Sequence, residues 1–163
     1  MTTPRFAVGI DLGTTHSVLA YAPIDDEGAR VRTLPVPQRV GLGEVESLSL
    51  LPSFLYVPTD AERPTSNALP FDASPAYVVG TLARTMGAGT PSRLVSSAKS
   101  WLCHPDVDRH ADILPTDAPE GVRRCSPIEA SSAYLAHLVR AFDHAFPDAP
   151  LRDQDVTLTV PAS

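Results

Sequence analysis

Residues 9–17 hold the group of side chains best suited to chemistry on a charged ligand. Asp11 ends an apolar segment, and Gly13, Thr14 and Thr15 follow it as a short turn. A turn of this kind directs several backbone N–H groups at one point, where they bind an anion. Glycine lets the backbone approach the ligand, and a carboxylate beside phosphates suits a divalent cation or its waters. The pattern predicts a site for nucleotide phosphates and their metal, with a tight hairpin that binds no ligand as the alternative.

Two predicted strands position this turn. Phe6–Asp11 has the length and composition of a buried strand, and Ser17–Pro23 is again apolar and β-prone, so the turn joins them as a hairpin. A second turn at Asp25–Gly28 precedes a third strand, Val31–Leu34. We therefore expect a β-meander around the candidate site.

The clearest helix signal begins at Ser126. The sequence Ser126-Pro127-Ile128-Glu129 is a capping box with proline at the first helical position. The helix is predicted to end near Phe146, because prolines follow. Its predicted apolar face consists of Ile128, Leu135, Leu138, Val139, Phe142 and Phe146.

The segment Val156–Val160 is predicted to be the next strand. A strand that follows a crossover helix is expected to be central and parallel, with cover on both of its faces. Because only three residues follow it, the chain is interpreted as a piece of a longer protein.

The middle of the chain is predicted to mix short strands, helices and loops. The predicted segments are strands at Phe54–Val57 and Tyr77–Gly80, a helix beginning at Thr81–Met86, a helix at Ser92–His104, a surface insertion at Pro58–Pro75 and irregular chain at Pro105–Arg124. Lys99 falls on the second helix. On the residues alone, the simpler interpretation is a surface lysine whose stem covers apolar side chains.

Composition excludes several classes of function. The 163 residues carry a net charge of −6, which argues against a nucleic-acid partner. No segment has the apolar length of a membrane span or of a secretory signal, so the cytoplasm is the expected compartment. The two cysteines have no metal-binding spacing and are expected to be buried or idle thiols.

The segment from Ile10 to Ser17 resembles the first phosphate motif of the actin-like ATPase superfamily. Later segments resemble one family within it, the 70-kDa heat-shock proteins or DnaK-type chaperones, in the expected order. These segments are Leu51–Val57, Val79-Gly80 with Ala83, Ala98–Leu102 and Thr159–Ser163. The resemblance covers almost the whole chain, but only the first lobe of that family's ATPase domain.

The resemblance implies an α/β fold, the first lobe of a ribonuclease H-like (actin-like) ATPase domain. It implies a mixed sheet of the five-stranded type with helices, plus a smaller α+β subdomain. The inner subdomain would comprise approximately residues 5–52 and 126–163, and the outer one approximately 53–125. The second lobe and the peptide-binding domain are absent from the sequence.

The resemblance also assigns roles to single residues. Gly13, Thr14, Thr15 and His16 are implied to bind the phosphates of ATP, and Asp11 to face Mg²⁺ through water. Lys99 is implied to be the catalytic lysine that reaches the γ-phosphate and the attacking water. Pro161 is implied to communicate the nucleotide state between the lobes. The chain departs from the family at Ser100, where arginine is usual, at His16, where asparagine or tyrosine is common, and in the length of the segment 58–75.

The implied function is ATP binding and hydrolysis coupled to binding and release of unfolded polypeptide, as in the stress response and protein folding. The implied partners are polypeptide clients, a J-domain co-chaperone and a nucleotide exchange factor. Two alternatives remain: an actin-fold kinase for a sugar or other small molecule, and a non-catalytic interaction module derived from the same lobe. The chain by itself is expected to be inactive and to self-associate.

Overall fold

The computed structural model describes residues 3–62, 69–71 and 76–159. Its strands are β1 (Phe6–Leu12), β2 (His16–Pro23), β3 (Arg32–Thr33), β4 (Val36–Gly41), β5 (Glu44–Leu48), β6 (Leu51–Pro52), β7 (Phe54–Tyr56), β8 (Val78–Val79), β9 (Leu94–Ser96) and β10 (Asp155–Thr159). Its α-helices are α1 (Thr81–Gly89), α2 (Ala98–Leu102) and α3 (Pro127–Ala145). The fold is mixed α/β, as predicted, with several sheets and few helices. The predictions at Val160 and Pro161, and those within 63–68 and 72–75, lie outside the described residues.

The largest sheet of the described residues has five strands in mixed orientation. β1 lies between β2, which runs antiparallel to it, and β10, which runs parallel to it. β3 and β6 both pair with β2. Every second residue of β1 is buried, as expected of a strand with one face in the core: Phe6, Val8, Ile10 and Leu12. The predicted hairpin, meander and parallel strand are therefore confirmed.

β10 lies at the end of the described strand order, so the prediction of a central strand does not hold among the described residues. All five of its residues are exposed. Val156 and Leu158 are 41% and 39% exposed and lie beside Val8 and Ile10, on the same face of the sheet. The strand thus presents apolar side chains together with an outer edge that no described strand occupies.

α3 covers one face of this sheet and begins as predicted. Oγ of Ser126 accepts a hydrogen bond from the N–H of Glu129 at 3.0 Å, which satisfies one free donor of the first turn. Leu138 and Phe142 are fully buried against β1 and β2. The remaining members of the predicted face, Ile128, Leu135, Val139 and Phe146, are partly buried. The buried face is wider than predicted, because Tyr134 and other residues of the helix also contribute to it.

The helix predicted over Ser92–His104 is wrong in its first half. Residues 94–96 form β9, which pairs antiparallel with β7. The helix α2 begins only after Ser97, whose φ of 54° lies in the left-handed region and interrupts a helix. In so short a segment, the spacing of apolar residues does not distinguish a buried strand from a helical turn. The pairing of residues 94–96 with β7 makes them a strand.

Two further features differ from the sequence analysis. β4 and β5 form a hairpin that was not predicted, joined by a turn in which Gly43 has a φ of 80°. Within the segment predicted as a surface insertion, Leu69 is buried and the Phe71 ring lies 5.3 Å from the ring of His137 on α3. The surface prediction is therefore wrong for these two residues, which pack on the core because they are apolar.

Among the residues that the structure describes, no helix combines the length and the hydropathy that crossing a bilayer requires.

Candidate functional site

The turn between β1 and β2 consists of residues 13–15. Gly13 lies against the backbone of His16, and a Cβ at position 13 would overlap the carbonyl oxygen of that residue. Backbone atoms cannot move aside as the end of a flexible side chain can, so any side chain here would force the turn open. Glycine is thus required by a close approach of two backbone segments.

Ser53 ties this turn to the rest of the fold. Its hydroxyl donates to the carbonyl oxygen of Gly13 at 2.8 Å, and its backbone N–H donates to the carbonyl oxygen of Thr15 at 2.9 Å. Oγ of Ser53 also lies 3.0 Å from Oγ of Ser17. Both serines are almost fully buried, at 2% and 0% exposed. The carbonyl groups of the turn are therefore directed inward and held there.

The N–H groups of the turn are left open. In a trans peptide unit C=O and N–H point in opposite directions, so the bond from Ser53 to the Gly13 carbonyl turns the N–H of Thr14 away from Ser53. In the described part of the chain, neither Thr14 nor Thr15 donates a backbone hydrogen bond, and both residues are exposed. Adjacent backbone N–H groups without a partner on an exposed turn are donors of the kind that anion-binding turns use.

Asp11 lies two residues before Gly13, the first residue of this turn, on the exposed face of β1. The hydroxyl of Thr159, its partner in the β1–β10 register, donates to Oδ1 of Asp11 at 2.7 Å. This bond orients the carboxylate, and within the described residues Oδ2 has no hydrogen-bond donor. Mg²⁺ is commonly held by one or two carboxylates and substrate phosphates while it keeps several waters. A single oriented carboxylate of this kind has the donor chemistry for a contact with Mg²⁺ through water.

His16 begins β2 and is half-buried. Its backbone lies opposite Pro52 in the pairing of β2 with β6. Since side chains alternate along a strand, His16 lies on the same face of β2 as Val18, which pairs with Asp11. The structure thus places His16 at the rim of the turn, on the face that carries Asp11.

Lys99 is the second residue of α2 and is half-buried. Within the described residues its side chain makes no hydrogen bond or ion pair. The preceding residue, Ala98, belongs to the same apolar cluster as Leu12, which immediately precedes the turn. The apolar cluster thus joins α2 to the end of β1.

The same short helix carries Trp101. The indole ring stacks on the ring of His104, with the ring centroids 5.9 Å apart and the planes inclined by 28°. Trp101 is half-buried and packs against the apolar cluster that contains Ala98. Trp101 thus lies on the helix that carries Lys99, and His104 follows two residues after the end of that helix.

Other ionisable groups of this region are structural. Burial, together with the nearby Glu129 carboxylate, raises the pKa of the Cys125 thiol to about 12, so the thiol stays protonated at neutral pH and is a poor nucleophile. Burial and a 2.6 Å hydrogen bond to Glu129 raise the pKa of Tyr77.

Cys125 is buried as expected, whereas Cys103 is exposed. No three His, Cys, Asp or Glu side chains of the described chain lie close enough together to hold a metal ion.

No protein-family model matches the chain, and no curated protein matches it.

The structure brings five of the six predicted site residues, Asp11, Gly13, Thr14, Thr15 and His16, to one end of the β1–β2 hairpin. The sixth, Lys99, lies on a helix that shares a core cluster with that end. Sequence reasoning missed Ser53 and Thr159 as supports of the site. The one signal in the sequence that pointed to Ser53 is that it lies in Leu51–Val57, a segment that resembles the chaperone family.

Proposed function

We propose that this chain is the phosphate-binding lobe of an actin-like ATPase with a ribonuclease H-like fold, and that its turn at residues 13–15 binds the phosphates of Mg-ATP. The observation that carries the proposal is the pair of open N–H groups at Thr14 and Thr15 beside the oriented carboxylate of Asp11. The parallel pairing of β10 with β1 and the crossover helix α3 support the topology.

Each site residue then has a defined task. The N–H groups of Thr14 and Thr15 bind phosphate oxygens, and His16 lines the rim of the turn. Asp11 would accept hydrogen bonds from the waters of a bound Mg²⁺. Mg²⁺, when bound, neutralises charge on the phosphates. The ammonium group of Lys99 stabilises the charge that develops on the γ-phosphate and orients the attacking water.

At the level of the whole protein, the proposed activity is that of a DnaK-type chaperone. The support is the order of the segments Leu51–Val57, Ala98–Leu102 and Thr159–Ser163 along the chain. ATP binding and hydrolysis would be coupled to the binding and release of unfolded polypeptide. Its proposed partners are polypeptide clients, a J-domain co-chaperone and an exchange factor, and its proposed compartment is the cytoplasm.

The phosphate site is tested by NMR on the ¹⁵N-labelled 163-residue chain titrated with Mg-ATP. We expect saturable shifts of the Thr14, Thr15 and His16 amide signals, with a dissociation constant of roughly 1 mM. Gly13→Ala should abolish these shifts. Gly9→Ala is the matched control, because a Cβ at position 9 on β1 meets no atom within 4 Å. The proposal would be refuted if these amide signals stayed unchanged at Mg-ATP concentrations well above that dissociation constant.

The role of Lys99 is tested by single-turnover hydrolysis in the longest natural form of the protein. Lys99→Ala should slow hydrolysis by about 10²-fold or more while ATP affinity changes little, because the ammonium group acts mainly in the transition state. Arg84→Ala, at an exposed cation on α1, is the control. An unchanged rate would make Lys99 a surface lysine.

Ligand addition separates the three candidate functions. Unfolded peptide should accelerate ATP turnover in a chaperone, whereas a small-molecule kinase would respond to its sugar and not to peptide. A non-catalytic module would show no turnover under either condition.

A further inference from the structure

We propose that Ser53 is a positioning residue that sets the helix carrying Lys99 relative to the phosphate turn, so that occupancy of the turn is transmitted to Lys99. This inference rests on the proposed function of the turn as a phosphate site. It assigns to Ser53 a task in the regulation of that site, and the task follows from the place of this residue between two sheets.

On one side, Ser53 controls the orientation of the turn. Its hydroxyl and its N–H hold the carbonyl groups of Gly13 and Thr15, which flank Thr14. These two bonds fix two peptide units of the turn, and with them the direction of the Thr14 N–H. An anion that binds the Thr14 N–H from outside therefore acts on a peptide unit that Ser53 holds from inside.

On the other side, Ser53 immediately precedes β7, the strand that pairs with β9, and β9 is the strand before α2. Ser53 separates β6, which belongs to the main sheet, from β7, which belongs to a three-stranded sheet with β8 and β9. Its neighbour Phe54 lies opposite Ser96, the last residue of β9. Only Ser97 and Ala98 then separate β9 from Lys99.

The backbone conformation of Ser97 makes this connection stiff. Its φ of 54° is disfavoured for a residue with a side chain, and such a conformation persists only where the surrounding structure holds it. Ala98 on the other side is 1% exposed in the apolar cluster that contains Leu12 and Leu55. With β9 paired to β7 and Ala98 packed in the core, a displacement of Ser53 moves the start of α2.

The hydroxyls of Ser53 and Ser17 donate to different acceptors, so substitutions at these two residues form a matched pair. The single hydroxyl proton of Ser53 is used on the Gly13 carbonyl, so Ser17 must donate its own proton to Oγ of Ser53. Ser53→Ala therefore frees the carbonyl of the turn, whereas Ser17→Ala leaves that bond in place. Both substitutions remove one buried oxygen atom of the same kind.

The experiment follows the amide signals of Thr14, Thr15 and Lys99 in the ¹⁵N-labelled 163-residue chain during titration with magnesium tripolyphosphate. In the wild type, the ligand should shift all three signals. Ser53→Ala should weaken binding about tenfold, on the scale of one hydrogen bond, and abolish the shift of Lys99 at saturation. Ser17→Ala should weaken binding less than about threefold and keep that shift.

Thermal unfolding of each variant identifies a general loss of folding. If Ser53→Ala does not fold, Ser53→Cys replaces it, because the thiol leaves no cavity and is a weaker donor. Ser17→Cys is then its control. Equal affinity and an intact Lys99 shift in the Ser53 variant would overturn this inference alone, as would equal effects of the two serines. Absence of Thr14 and Thr15 shifts in the wild type would overturn the proposed function as well.

Discussion

Asp11 is a carboxylate that a single hydrogen bond already orients. The bond from Thr159 fixes the rotamer of Asp11 across the β1–β10 pair and occupies only one of its two oxygens. An exposed carboxylate that is already oriented loses little conformational freedom when hydrated Mg²⁺ arrives. The effect of a substitution at this position should therefore depend on the metal.

We expect Asp11→Asn to weaken binding of Mg-ATP more than binding of ATP without metal. The amide keeps the shape of the side chain but removes the negative charge that attracts the hydrated ion. The measurement is the ratio of the two dissociation constants by NMR titration. Asp155→Asn, on the same face at the other end of the β1–β10 pair, is the control. Equal losses with and without metal would contradict the role of Asp11.

Glu62 makes the stability of the chain depend on pH. The N–H of Thr59 donates to its carboxylate at 2.8 Å, and the Tyr56 hydroxyl donates at 3.1 Å. These bonds, the N–H of Thr59 foremost, lower the pKa of Glu62 in the folded state. Because the folded pKa is depressed, the stabilisation is complete above the unfolded pKa and is lost as the pH falls through the folded pKa.

Glu62→Gln should therefore lower the melting temperature at neutral pH, and the difference from the wild type should shrink as the pH falls below about 4.3, the ordinary pKa of glutamate. Glu46→Gln removes an exposed carboxylate of the same charge and serves as the control. Differential scanning calorimetry between about pH 7 and pH 3 measures both. If the melting temperature of Glu62→Gln were lower than that of the wild type by the same amount at every pH, the carboxylate charge of Glu62 would not contribute to stability.

At the residue scale, local pattern located the turn but not its supports. Asp11, Gly13 and the two threonines are adjacent in the sequence, so their types and spacing already define a site. Ser53 is 40 positions from Gly13, and Thr159 is 148 positions from Asp11. Contacts at such separations arise from strand pairing, which no local pattern specifies.

Among the elements, α3 offers the most direct test of how the chain is stabilised. Its first turn depends on the hydroxyl of Ser126, and its buried face depends on side chains such as Leu138, which has no exposed surface. A capping bond stabilises by about 1 kcal/mol, whereas burial of a leucine contributes more, since its removal also leaves a cavity.

We expect Ser126→Ala to lower the free energy of unfolding by about 1 kcal/mol and Leu138→Ala by about 2–5 kcal/mol. Ser132→Ala, at an exposed position of the same helix, should have little effect. Urea denaturation measures all three. If the cap were more costly to lose than the leucine, the buried face of α3 would be assigned wrongly.

Elements were predictable where the signal was long or had a defined start. The capping box at Ser126 and the apolar segment of β1 met this condition. β9 did not, because it has three residues and becomes a strand only through its pairing with β7. The hairpin of β4 and β5 was missed for a related reason, since Arg39 and Glu46 break the simple apolar pattern.

At the scale of the whole molecule, the exposed surface of β10 predicts association. The edge of this strand is open among the described residues, and Val156 and Leu158 are both about two-fifths exposed. Open edges with apolar side chains pair with other chains. By resemblance, a second lobe completes the nucleotide cleft, so we expect no measurable ATP turnover by the 163-residue chain.

Light scattering at increasing concentration should therefore show a rising average mass. Leu158→Lys should shift the chain toward the monomer, because a charged side chain at an edge opposes pairing. Leu42→Lys is the control, since Leu42 is 86% exposed at the turn between β4 and β5, away from this edge. A clean monomer at every concentration would contradict the expected association, and measurable ATP turnover by the 163-residue chain would contradict the expected inactivity.

The stacking of Trp101 on His104 gives the protein an intrinsic fluorescence signal. The chain contains a single tryptophan, so its intrinsic emission reports on one place, the helix that carries Lys99. Any movement that separates the indole from the imidazole alters the quenching of that emission. Stopped-flow fluorimetry thus has a label-free signal for the kinetics of this helix, and His104→Ala provides the unquenched reference.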